Sequence, residues 1–170
     1  MRIMQSSNDI MQWINGKNKD TSCGTRLTMW LISWHLFLFH PIQGYGDHNL
    51  LGMFTNSEIT KVATPLTLDI MQKIGPHNDM LESMVLSGVF GLIATVLIIF
   101  TPLLLFWRIY LHAKNTQISA TCLQGLCFTL GVFVNGIFNG VLVLKMSITF
   151  YAVIVFALLA TALWQQNNKI

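Results

Sequence analysis

Three stretches of this chain, about 84–107, 120–144 and 147–164, are each apolar and near the length needed to cross a bilayer, which takes about 20 residues. Backbone groups inside lipid must find their partners within their own segment, so such runs form helices. Composition agrees. Hydrophobic residues make up 53% of the 170 residues and charged residues only 10%, against about 25% charged in soluble domains. Pro102 interrupts the first run and is expected to kink it near its far end. The connection RIYLHAKNTQIS is short, and the one around Lys145 is shorter still. The expectation is an all-α membrane protein: a loop region over 1–80, then three spans over 81–170 arranged up-down-up.

Orientation follows from the loop charges. Arg108 and Lys114 follow the first run, and Lys169 follows the third. The positive-inside rule makes these ends cytoplasmic, with Lys145 on the other face. Residues 1–80 are then extracytoplasmic. All seven acidic residues lie at or before Glu82. No basic cluster exists, which argues against a nucleic-acid partner.

The loop region has organisation of its own. Residues 27–39, LTMWLISWHLFLF, are too short to span. Leu27, Trp30, Leu31, Trp34 and Leu38 recur at helical spacing, and tryptophans suit the headgroup region. A helix over about 26–39, lying along the membrane, is expected; a helix buried among others is the alternative. His40-Pro41 ends it. Gly44, Gly46 and Gly52 mark an irregular loop. Thr64-Pro65 opens a short helix through Lys73, which Gly75-Pro76 stops. Among the spans, Ser87, Gly91 and Thr95 recur every four residues, and Gly136 and Gly140 form a Gly-x-x-x-Gly. Both patterns read as close helix packing, with Asn135 and Asn139 available to bond across a contact.

Two motifs carry chemistry. Residues 77–91, HNDMLESMVLSGVFG, place His77 and Asn78 just before the first apolar run, with Gly88 and Gly91 spaced Gly-x-x-Gly behind them. Upstream, Arg26 and Trp30 precede Pro41, Gly44 and Gly46. Histidine titrates near neutral pH and is suited to accept a proton there. Arginine stays cationic and grips phosphate with two bonds. A proton-accepting side chain at a membrane boundary suits chemistry on a lipid-linked substrate. Cys23, Cys122 and Cys127 contain no Cys-x-x-Cys pair and read as small apolar fillers. His35, His40, His48 and His112 read as structural or interfacial. A zinc site from His40, Asp47, His48 and His77 lacks a recognised ligand spacing, so no metal is expected.

On these residues the sequence resembles the O-antigen ligase family of bacterial membrane glycosyltransferases. That family carries His-[Asn/Ser/Gln]-x9-Gly-x-x-Gly, matched here by His77, Asn78, Gly88 and Gly91. Its relatives often place an arginine, a tryptophan and then Pro-x-x-Gly-x-Gly upstream, matched by Arg26, Trp30, Pro41, Gly44 and Gly46. The resemblance covers roughly residues 20–165, the C-terminal part of such an enzyme. The chain also lacks an N-terminal signal peptide, so a truncated or fragmentary product is expected. The family's further loop arginine has no convincing counterpart.

The resemblance implies transfer of a glycan from undecaprenyl pyrophosphate to a sugar hydroxyl of lipid A-core, at the periplasmic face of the inner membrane, without nucleotide, metal or other cofactor. It implies His77 as the base and Arg26 as the pyrophosphate clamp. Asn78 is expected to orient His77 or the acceptor, and Glu82 to pair with His77 or line the acceptor path. Two other readings stay open. One is an O-antigen polymerase or related oligosaccharide transferase with the same donor. The other is a small non-enzymatic membrane protein that packs against partner helices and lipids.

Overall fold

A computed structural model describes residues 2–46 and 57–167. Every element among the described residues is an α-helix: α1 (Arg2–Ile14), α2 (Ser22–Phe39), α3 (Ser57–Val62), α4 (Pro65–Ile74), α5 (Asp79–Leu111), α6 (Thr116–Phe138) and α7 (Lys145–Asn167). The last three are long and apolar enough to cross a membrane, giving the all-α membrane fold expected. The chain divides into two compact units, Met1–Leu92 and Ile93–Ile170.

In the first unit α2 is the central element. Thr21 caps it, its hydroxyl accepting the Gly24 N–H at 3.1 Å. Thr25, Thr28, Met29, Ile32, Ser33 and Leu36 form its buried face. The buried Thr28 and Ser33 hydroxyls donate to carbonyls one turn back, so polar groups enter the core satisfied. Met29, Ile32 and Leu36 meet Ile59 of α3, Met71 of α4 and Val85 of α5. The Trp13 indole donates to the Thr28 hydroxyl at 2.9 Å and ties α1 to α2. The Leu27–Leu38 stripe is on the other side, with Trp34 and Leu38 about half exposed (47% and 55%). So α2 contributes both a core face and an outward apolar face.

The interruption in α5 is at Gly88, the one residue within it with non-helical torsions (φ 61°, ψ −147°), while Pro102, where a kink is expected, keeps helical torsions. The 41–46 segment docks into this break through main-chain atoms. Val89 N–H donates to Pro41 O at 2.8 Å, Tyr45 N–H to Val85 O at 2.9 Å, and Gly46 N–H to Leu86 O at 2.8 Å. A β-carbon on Gly88 would strike the carbonyls of Pro41 and Ile42. One on Gly44 (φ 65°) would strike the α5 backbone at Leu86–Gly88. A helix break normally strands N–H and C=O groups; here the loop takes them up. Gly91 also fits a close approach, since a β-carbon there would meet Ser83 O.

Pro102 leaves α5 helical for a visible reason. Proline has no N–H to give the carbonyl four residues back, that of Ile98. The Tyr151 hydroxyl of α7 donates to Ile98 O at 2.9 Å. In lipid, such a carbonyl must be satisfied by protein.

The rest of the second unit is a three-helix arrangement with short connections, which set neighbours antiparallel. Ile99 and Phe106 of α5 pack with Leu126 of α6 and with Tyr151 and Val155 of α7. The close approach is at Gly125, where a β-carbon would overlap the Phe106 ring. The Gly136/Gly140 pair does not share a helical face, because α6 ends at Phe138, short of the expected Leu144. Asn139 caps it in an extended conformation (φ −145°, ψ 148°), and its amide donates to Asn135 Oδ1 at 2.7 Å. The asparagines therefore bond each other at a helix end. Leu97, Leu104, Val153 and Phe156 are exposed on the outside, as lipid-facing side chains are.

Candidate functional site

The first unit contains a pocket of about 290 Å³ whose lining includes both Arg26 and His77. Residues far apart in sequence meet there because two helix starts are stitched together. Thr64 caps α4, accepting the Thr67 N–H at 3.2 Å. The same Thr64 hydroxyl donates to Asp20 Oδ1 at 2.5 Å, just before the α2 cap. Lys19 Nζ donates to Val62 O at 3.2 Å and closes the same seam. Asp20, Ser22 and Thr25 line the α2 side of the pocket, and Leu66 and Ile70 of α4 form its apolar wall.

Arg26 stands on the second turn of α2 with its side chain exposed. Helix starts carry partial positive charge, so the guanidinium adds to a field that already favours anions. Asp20 supplies the opposing charge in the lining.

His77 arrives by a tight reversal. Gly75 caps α4 at φ 76°, donating its N–H to Met71 O at 3.0 Å. His77 then takes a left-handed conformation, φ 52°, the one described non-glycine residue to do so. That conformation costs a non-glycine residue about 1–2 kcal/mol, and held strain of this kind clusters at functional positions. The ring is partly buried and faces the pocket.

Asn78 and Glu82 stand elsewhere. Asn78 caps α5: its side-chain oxygen accepts the N–H groups of Met80 and Leu81, both at 3.0 Å. Neither residue is in the pocket lining. The Glu82 carboxylate lies against Gly75, where an added β-carbon would stand 3.0 Å from Oε1. Both therefore bear on the turn that presents His77. Sequence reasoning missed Asp20, Ser22 and Thr25; the available signal was the capping run Asn18–Thr21 directly before α2. Asp47, His48 and Gly52 lie outside the described residues. Among the described residues no three His, Cys, Asp or Glu side chains gather as a metal-holding group.

The pocket-lining residues and the Gly88 joint all fall within the part of the chain that matches a known family. The family described as O-antigen ligase matches residues 2–96. The match begins earlier and ends sooner than the motifs alone suggested, taking in α1 and stopping within α5. An uncharacterized protein of Haemophilus influenzae (strain ATCC 51907 / DSM 11121 / KW20 / Rd) is 30% identical over 126 residues. The aligned region is 74% of this chain and 30% of that relative, so the chain spans less than two thirds of the relative's length. With more than half of its residues inside the family match, this membrane protein belongs to the O-antigen ligase family.

Proposed function

We propose that this chain handles the lipid-linked donor in a glycan transfer, moving a glycan from undecaprenyl pyrophosphate to a sugar hydroxyl of lipid A-core. The observation that carries this reading is the shared pocket of Arg26 and His77. His77 takes the proton of the acceptor hydroxyl as its oxygen bonds to the anomeric carbon. The bond from that carbon to the pyrophosphate breaks, and undecaprenyl pyrophosphate departs with the electron pair. Arg26, backed by the α2 start, holds the developing negative charge. Asn78 and Glu82 act through the turn that presents His77. Residues 1–80 face the periplasm, and the outward stripe of α2 rests on the outer surface of the inner membrane. The chemistry proceeds on protein groups alone, with no metal.

The test is binding and transfer with the chain in lipid nanodiscs. Undecaprenyl pyrophosphate should bind more tightly than the monophosphate. Arg26→Ala should weaken that binding about 10- to 100-fold, the worth of a charge-assisted contact, and Arg26→Lys should restore part of it. His77→Asn should leave binding intact while transfer falls about 100- to 10,000-fold. No preference for pyrophosphate, or full transfer by His77→Asn, would reject the reading.

A further inference from the structure

The second unit carries a trough unrelated to the Arg26/His77 pocket. A cavity of about 440 Å³ runs along the α5–α7 face past Leu97, Pro102 and Val155. A second, of about 450 Å³, continues past Ile109 to Arg108 and His112. Leu105 and Leu159 line both, so the two form one groove, apolar along its length and cationic at the Leu111 end. Arg108 and His112 are both exposed. His112 Nδ1 lies 2.8 Å from Arg108 O. A carbonyl only accepts, so Nδ1 carries a proton, and Nε2 can donate to an anion when the ring is the imidazolium.

Arg108 has no acidic side chain to pair with in its unit, because the sequence has no Asp or Glu after Glu82. The same fact excludes residues 93–170 of a second copy as the source of a countercharge. The partner must bring both an anion and a long apolar body. We infer that this groove binds one anionic phospholipid, its phosphate held by Arg108 and His112 and an acyl chain along Leu105, Pro102 and Leu97. Guanidinium grips a phosphate with two parallel bonds. The apolar walls gain from covering hydrocarbon by close packing, as membrane helices do against one another.

Retention of lipid by the purified chain tests this, using native mass spectrometry from micelles offered equal phosphatidylglycerol and phosphatidylcholine. Phosphatidylglycerol should be retained about 10-fold or more over phosphatidylcholine, as one charge-assisted contact implies. Arg108→Gln should erase most of that preference, and His112→Gln a smaller part. Leu105→Trp, an outward position that fills the trough, should lower retention of both lipids, with helicity by circular dichroism unchanged in every variant. Equal retention of the two lipids overturns the inference, as does a preference that survives Arg108→Gln. Displacement of the lipid by inorganic phosphate at matched concentration would mark a simple anion site and overturn it too. So would crosslinking of two chains through Leu97 and Phe156, which would put a helix in the groove.

Discussion

Gly88→Ala removes the joint that holds the 41–46 segment against α5. At φ 61°, ψ −147° the backbone is in a region open essentially to glycine, and placing alanine there costs about 1–3 kcal/mol. The new carbon also meets the Pro41 and Ile42 carbonyls, so the loop must withdraw. Three main-chain hydrogen bonds go with it, each worth about 1 kcal/mol net. Together these give a loss of about 4–6 kcal/mol, at the upper end for single substitutions. Thermal unfolding in detergent reads this out, followed by the fluorescence of the five tryptophans, of which Trp13, Trp30 and Trp34 lie in the affected unit. Gly131→Ala is the control: it lies within α6 with nothing within 4 Å of an added β-carbon, so it should be neutral or stabilising by up to about 1 kcal/mol. Gly44→Ala attacks the same joint from the loop side, and combined with Gly88→Ala it should cost clearly less than the two losses added. The reasoning fails if Gly88→Ala behaves like Gly131→Ala, or if the Gly44 and Gly88 losses add in full.

Further expectations concern single bonds. Tyr151→Phe should lower stability by about 0.6–2 kcal/mol, the range for hydrogen bonds between membrane helices. The loss should largely vanish when Pro102→Ala restores an N–H for Ile98 O; an equal loss in both backgrounds would refute the pairing. At position 77 thermal stability should rank Gly and Asn above Ala, by about 1 kcal/mol, because left-handed torsions suit those two residues. All three variants should lose transfer alike, and an inverted stability order would show that the left-handed turn is not maintained. Thr64→Ala removes both the α4 cap and the Asp20 bond. It should cost about 1–2 kcal/mol and weaken pyrophosphate binding less than Arg26→Ala, as ligand titration would show.

The membrane helices were legible because hydrocarbon imposes a length and a composition on any segment crossing it. Helix α4 was legible because Thr64-Pro65 and Gly75 punctuate it. The position of the α5 break was not. Pro102 is the stronger local signal, but its torsions stay helical and Tyr151 takes up the carbonyl it leaves without a donor, and periodicity carries no trace of that. Gly88 reads as packing until the docked loop is visible. The end of α6 was missed because Val141–Leu144 are apolar, while Asn139 and Gly140 decide where the helix stops. Arg26 and His77 stand out through the family pattern they match, and both line the pocket. Asp20 was not, because its place in the pocket depends on a bond to Thr64 formed only when two helix starts meet.

The Gly88 joint also explains a distance. It is built from main-chain atoms, so it is indifferent to side chains at Ile42, Gln43 or Val89 and sensitive only to where the glycines fall. Between it and His77 runs a single helical segment that serves as a rigid ruler. Inserting one residue there would swing the imidazole about 100° around the axis and out of register with Arg26, even with every side chain of the pocket unchanged.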